Sequence, residues 1–290
     1  LHAANFKELA MSYKSILVHV DQSSHATARI EFAAELARRQ EAHLTGAALS
    51  GLAMDFYRSG GMTWGAPVPQ EVFDKVKEDN QLALAQFEKL ASAAAISYET
   101  RYTDDDPDFG LVQQAHYADL VVLSQTSPDT SGPRLLRSLP EYVALNGGRP
   151  VLMVPYAGVF THLDRHALVA WDGSRAATRA ITDALPLLKR SAQVTLAVFD
   201  AERQYGVHGD VPGADIALYL ARHGVKVEVQ QHTTAGGIDV GSALLSLAAD
   251  LSADLLVMGA YGHQRWSEII LGGVTRRVLQ SMTLPVLMSH

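Results

Sequence analysis

The feature that most constrains this chain is an internal repeat. Lys14-Ser15-Ile16-Leu17-Val18-His19-Val20-Asp21 is matched by Arg165-His166-Ala167-Leu168-Val169-Ala170-Trp171-Asp172, each a short apolar run that ends in aspartate before a polar turn. Ala118-Asp119-Leu120-Val121-Val122-Leu123 is matched by Ala253-Asp254-Leu255-Leu256-Val257-Met258, and Pro150-Val151-Leu152-Met153-Val154 by Pro285-Val286-Leu287-Met288-Ser289. The last two matches share one offset, 135 residues, so the stretch between them aligns without a gap. Two copies of that size suit a chain of 290 residues, because single domains commonly run ~100–200.

Between these anchors, strand-like apolar runs alternate with segments of helical period. Ala177, Ile181, Ala184, Leu185 and Leu188 form one apolar stripe, with Pro186 expected to kink the helix, and Ala26, Ile30, Ala33, Ala34 and Ala37 form its counterpart. A strand over Val225 to Gln231 and helices over Glu71 to Ala95, Ser242 to Leu251 and Thr275 to Met282 follow the same reasoning. Near-continuous apolar strands alternating with helices predict a parallel sheet covered on both faces, hence two α/β doubly wound domains of about five strands each. The expected domains are 11–156 and 157–290, joined through Tyr156 to Arg165, which shows no periodicity. The first copy carries 16 extra residues, since 97 positions separate Asp21 from Ala118 and 81 separate Asp172 from Ala253. The surplus lies around Gly51 to Gln70, where Met54, Phe56, Tyr57, Met62 and Trp64 suit either packing over a cleft or subunit, or a loop folded on its own domain.

Composition narrows the partners. Hydrophobic residues make up 48%, enough for two ordinary cores, and a formal net charge of −7 gives no basic surface with which to displace counterions from nucleic acid. No apolar run approaches the ~18–20 residues that span a bilayer, and Leu1 to Ala10 lacks the pattern of a secretion signal, leaving Met11 as the expected start. With no cysteine there are no disulfides or thiolate sites, which fits the cytoplasm.

The chemistry-bearing pattern is in the second copy. After Leu255-Leu256-Val257-Met258 the chain reads Gly259-Ala260-Tyr261-Gly262, nine residues, then Gly272-Gly273-Val274-Thr275-Arg276-Arg277. In an open parallel sheet the ligand crevice lies beyond the carboxyl ends of the strands, where the winding reverses. Glycines there let consecutive N–H groups line one concavity, and a helix beginning at Thr275 would aim its positive end at a phosphate, with Arg276 and Arg277 adding charge. The same spacing also fits a tight turn and a helix start with no ligand. Asp172, followed by Gly173-Ser174, ends the first strand at the edge of the crevice. Beside phosphates its carboxylate would need a sugar hydroxyl, base amine or metal as partner; otherwise it caps the following helix.

Taken together, Val169-Ala170-Trp171-Asp172-Gly173-Ser174, Ala253 to Gly259, Gly259-x-x-Gly262-x9-Gly272 and the Pro285-Val286-Leu287 strand resemble the universal stress protein family in its tandem form. The resemblance covers nearly all of both copies. It implies a flavodoxin-like sheet of five parallel strands in order 3-2-1-4-5 per domain, domain pairing through the last strand, a homodimer, and in one branch ATP, with or without magnesium, bound without a Walker motif. By position, Asp172 would contact the adenosine end and the backbone of Val198 would meet adenine. Gly259, Gly262, Gly272, Gly273, Val274 and Thr275 would line the ribose and phosphates. One departure is Gly273, where the family carries serine or threonine. The missing hydroxyl bond to a charged phosphate, worth about 1.5–3 kcal/mol, corresponds to roughly ten- to hundredfold in affinity.

In the first copy the offset turns Gly259, Gly262 and Gly272 into Ser124, Ser127 and Arg137, and Thr275 into Pro140. A degenerate site is expected there, with Asp21 as a helix cap. His162 and His166 are four apart, as a zinc pair on a helix would be, but lack the glutamate that follows the first histidine in zinc proteases. His19 is expected to be a hydrogen-bonded core histidine and His263 a loop residue. No P-loop, dinucleotide fingerprint or nucleophile elbow is present. With Asp172 the only carboxylate near the expected phosphates, a binding and signalling role is favoured over an enzyme. A nucleotide-free dimerisation scaffold and a slow ATPase or self-phosphorylating protein are the alternatives.

Overall fold

The computed structural model describes residues 12–50, 70–103, 107–126, 139–203, 209–234, 238–260 and 273–290. The first repeat runs β1 (Ser15–His19), α1 (Ala26–Gln40), β2 (His43–Leu49), α2 (Gln70–Ala93), β3 (Tyr98–Thr103), α3 (Pro107–Ala115), β4 (Leu120–Ser124), α4 (Leu139–Asn146) and β5 (Val151–Val154). The second runs β6 (His166–Ala170), α5 (Arg175–Leu188), β7 (Gln193–Phe199), α6 (Ala214–Arg222), β8 (Val227–His232), α7 (Val240–Asp250), β9 (Leu255–Gly259), α8 (Gly273–Ser281) and β10 (Val286–Ser289). Strand order within each repeat is 3-2-1-4-5. The expected loop around Gly51 to Gln70 lies almost wholly outside the described residues.

Contacts divide the chain into two compact units, one ending at Arg149 and the other running from Pro150 to His290. In the first, β1 pairs in parallel with β2 and β4, and β2 with β3. In the second, β6 pairs in parallel with β7 and β9, β7 with β8, and β9 with β10. Within that second unit β5 runs antiparallel to β10, with Leu152 opposite Leu287. Among the described residues no helix is long and apolar enough to cross a membrane.

The central strands are buried on both faces: Ile16 to Val18, Leu120 to Leu123, Ala167 to Val169 and Leu255 to Val257 have essentially no exposed surface. Helices cover them because a right-handed crossover puts the two helices of each winding direction on one face. Accordingly α1 packs on α2, α3 on α4, and α7 on α8. Helix α5 shows how sequence dictates this. Ser174 accepts a hydrogen bond from the Ala177 N–H at 3.1 Å and caps the helix, and Ala177, Ile181, Ala184, Leu185 and Leu188 are all buried. Burying each large side chain of that stripe contributes about 1.5–3 kcal/mol. Pro186 stands in the last turn, so only Leu187 and Leu188 follow it in the helix. Helices α7 and α8 both begin two residues earlier than periodicity suggested, at Val240 and Gly273. Asp239 explains the first: its carboxylate caps α7 by accepting from the Ser242 N–H and hydroxyl at 3.0 and 2.7 Å.

The Ala-Asp-Leu motif of both repeats has one structural job. Asp119 accepts from the Lys14 and Ser15 N–H groups at 2.7 and 3.0 Å, and Asp254 from the Arg165 and His166 N–H groups at 2.9 and 3.0 Å. Each carboxylate ties the start of the fourth strand to the start of the first and satisfies main-chain donors that the ladder leaves over. His162 and His166 do not share a helix: His166 begins β6, and its two ring nitrogens lie 3.1 Å from the Leu251 carbonyl and 2.8 Å from the Thr195 hydroxyl.

Candidate functional site

The crevice of the second repeat lies beyond the carboxyl ends of β6, β7 and β9, where the order turns from β7 on one side of β6 to β9 on the other. Asp172 is exposed there. Its Oδ1 accepts from the Ser174 N–H at 2.9 Å, and among the described residues its Oδ2 has no partner. Ser174, and not Asp172, caps α5, which leaves one oxygen of Asp172 available to a ligand hydroxyl or amine.

Val198 is buried inside β7. In a parallel sheet the N–H and C=O of one residue point to the same neighbouring strand and those of the next residue to the other. The Gln193 N–H donates to the Arg165 carbonyl at 3.0 Å and the Ala197 carbonyl accepts from the Trp171 N–H at 2.9 Å, so odd-numbered residues of β7 face β6. The Asp200 N–H donates to the His232 carbonyl at 2.9 Å, so even-numbered residues face β8. The Val198 main chain is therefore taken up by the β8 ladder. Phe199 faces the β6 side past that strand's end, and among the described residues its N–H and C=O have no hydrogen-bond partner. The family resemblance pointed to Val198; alternation along β7 is the signal that adds Phe199. The Phe199 ring stacks on His232 with centroids 5.1 Å apart.

Gly259 ends β9 under the first turn of α5. A Cβ there would lie 2.5 Å from the Ala177 nitrogen and 2.8 Å from the Ala176 carbonyl carbon, contacts that no side chain tolerates. The close seating of helix on strand by itself demands glycine at this position. Gly262 and Gly272 lie outside the described residues, as does His263. Gly273 is the first residue of α8 and is exposed, and a Cβ added to it would meet nothing within 4 Å. Val274 is half-buried and Thr275 buried. Arg276 is exposed, whereas Arg277 lies over Gly241 and pairs with Asp239 at 3.4 Å. A shallow apolar groove lined by Leu218, Ala221, Val225 and Val227 lies along α6 and β8 and shares no residue with the crevice.

The same place in the first repeat is built differently. Arg29, 2% exposed, donates from Nε to the His19 carbonyl at 2.8 Å, from one terminal nitrogen to the Ser124 hydroxyl at 2.8 Å and from the other to Asp21 Oδ1 at 2.9 Å. Asp21 Oδ1 also accepts from the Ser23 N–H and hydroxyl at 3.0 and 2.6 Å, and His19 Nδ1 lies 3.6 Å from Oδ2. Burial pushes the Asp21 carboxyl upward, but Arg29, His19 and the Ser23 bonds outweigh it and hold the group well below the usual carboxylate range. At the start of α4, Pro140 is buried and Glu141 stands where the second repeat has Arg276. Burial pushes the Glu141 carboxyl up, and among the described residues its Oε2 has no partner.

These two versions of one strand end define a duplicated α/β sheet whose halves share a topology and differ at the switch point. The sequence profile of the universal stress protein family matches residues 12–155 and 165–290, and the chain belongs to that family, with two such domains in tandem. A universal stress protein from Archaeoglobus fulgidus DSM 4304 is 18% identical over 94% of each chain, with a TM-score of 0.73. A universal stress protein in complex with cAMP is 23% identical over 50% of this chain and 99% of its own, with a TM-score of 0.37. A further Archaeoglobus fulgidus universal stress protein, in complex with dAMP, is 22% identical over 49% of this chain and 98% of its own, with a TM-score of 0.34. No curated protein matches the sequence.

Proposed function

We propose that the second repeat, 157–290, binds an adenine nucleotide, ATP with or without magnesium, and that the first, 11–156, is its degenerate partner. The observation that carries this reading is the pair of unspent polar groups at the crevice of the second repeat. Asp172 Oδ2 suits a ribose hydroxyl, and the N–H and C=O of Phe199 supply the donor and acceptor that adenine's N1 and N6 require. The corresponding carboxylate of the first repeat, Asp21, is held through Oδ1 by Arg29 and Ser23, with His19 3.6 Å from its Oδ2. Gly259, Gly262, Gly272, Gly273, Val274 and Thr275 take the ribose and phosphate end by position, next to the start of α8. Family membership supports the ligand class, and members have been solved with cAMP and dAMP.

The role that follows is a cytoplasmic stress-response protein whose folded or assembled state is stabilised by nucleotide through linkage, with homodimerisation as its mode of assembly. The second reading, a scaffold that needs no nucleotide, draws on the first repeat, whose strand order is complete although serine, serine and arginine stand where the second repeat has Gly259, Gly262 and Gly272. Calorimetric titration with ATP separates the two. The parent chain should bind, and Asp172→Ala, which removes a single local hydrogen bond, should weaken binding about tenfold while leaving the fold intact. No heat and no rise in melting temperature at millimolar ATP would reject the nucleotide. Gly259 is unsuitable for this test, because any side chain there also unseats α5.

A further inference from the structure

We propose that His19, Asp21, Arg29 and Ser124 form an acid-sensitive lock that fastens α1 across the ends of β1 and β4 in the first repeat, and that it opens when His19 takes up a proton. The geometry is that of a closed cluster. Arg29 reaches from α1 to the last residue of β1, to the turn that follows it and to the last residue of β4, all within 2.9 Å. The His19 side chain, 13% exposed, sits beside the same carboxylate. A neutral ring fits there at little cost, but an imidazolium would share a buried site with the guanidinium, whose charge repels it.

The charged groups that act on His19 are Asp21 from the β1–α1 turn and Arg29 from α1. From the flanking strands β2 brings Ala47 opposite His19 and β4 brings Ser124. The described side chains of α3, Phe109 to Ala115, include no ionisable group. Burial, opposed by Asp21 and assisted by Arg29, pushes the ring down to about 4 from an ordinary value near 6.5. Because the folded value lies below the unfolded one, the unfolded chain binds the proton first. Stability is then fully present above pH 6.5 and is lost as the pH falls from 6.5 to about 4. In the second repeat the positions of His19, Arg29 and Ser124 hold Ala170, Ala180 and Gly259, so that side of the molecule has no equivalent lock.

Hydrogen exchange of the full chain, read by mass spectrometry and corrected for the intrinsic pH dependence of exchange, tests this directly. Between about pH 7 and pH 4.5, protection in α1 and β4 should fall roughly fiftyfold, while α5 and β9 change far less. In His19→Gln the selective fall should disappear. An equal fall in both repeats, or a fall in α1 that persists in His19→Gln, would overturn the lock. Should that variant not fold, NMR titration of the parent chain decides: a His19 midpoint near 4 supports the proposal, and one near 6.5 sinks it.

Discussion

At the amino-terminal ends of their strands the two repeats are built alike, and at the carboxyl ends they are not. Asp119 and Asp254 each receive two N–H groups from the start of the neighbouring strand, with nearly the same distances. At the other end Asp21 is tied to the buried Arg29 and has His19 3.6 Å from its second oxygen, whereas Asp172 is exposed and bonded only to the Ser174 N–H among the described residues. Ser124 and Arg29 bridge α1 to β4 through a polar contact, and Gly259 and Ala180 let α5 press directly on β9. Glu141 and Arg276 reverse the charge at the start of the last helix. The difference teaches that a duplicated sheet conserves the edge that aligns its strands and diverges at the edge where a ligand would sit, because only the second can change without disturbing register.

The comparison can be broken most decisively at Arg29. Arg29→Ala leaves Asp21, Ser124 and the His19 carbonyl without their shared donor. It should cost about 3 kcal/mol in urea unfolding of the first repeat, at the low end for a buried pair because Asp21 stays one-third exposed. A loss under about 1 kcal/mol would show that the network is ornamental. The shared edge is probed by Asp119→Ala and Asp254→Ala, each of which removes two N–H bonds of the same kind. Each should lower stability by about 1–2 kcal/mol, and a marked inequality between them would mean that the two repeats do not rely on this contact alike. The smallest effect on folding is expected at Gly273→Ser. Its Cβ enters open space, so the melting temperature should stay within about a degree. Any nucleotide affinity of the second repeat should rise about tenfold, as read by calorimetry. Unchanged affinity in a chain that does bind ATP would place the phosphates away from the start of α8.

Much of the architecture was legible in the sequence. The repeat, the apolar stripes of α1 and α5 and the alternation of strands with helices are local patterns with fixed periods, and the structure keeps them with shifts of about two residues at helix ends. The candidate site was legible only in part. Asp172 stood out because it ends a strand, and Gly273 because it departs from a motif. Arg29 gave no signal, since an arginine within an apolar stripe reads as a surface residue until its three partners, up to 95 positions away, are brought to it.

By itself, then, the sequence determined that this chain carries two doubly wound sheets and where each helix turns its apolar side, because those properties depend on neighbours along the chain. Only the tertiary structure decided which aspartate is paired with a buried arginine and which is exposed, that Gly259 is required by the helix above it, and that the Val198 main chain faces β8 while that of Phe199 faces the β6 side. Those outcomes depend on groups far apart in sequence meeting at one strand end, and on the alternating direction of a ladder that exists only once the strands have paired.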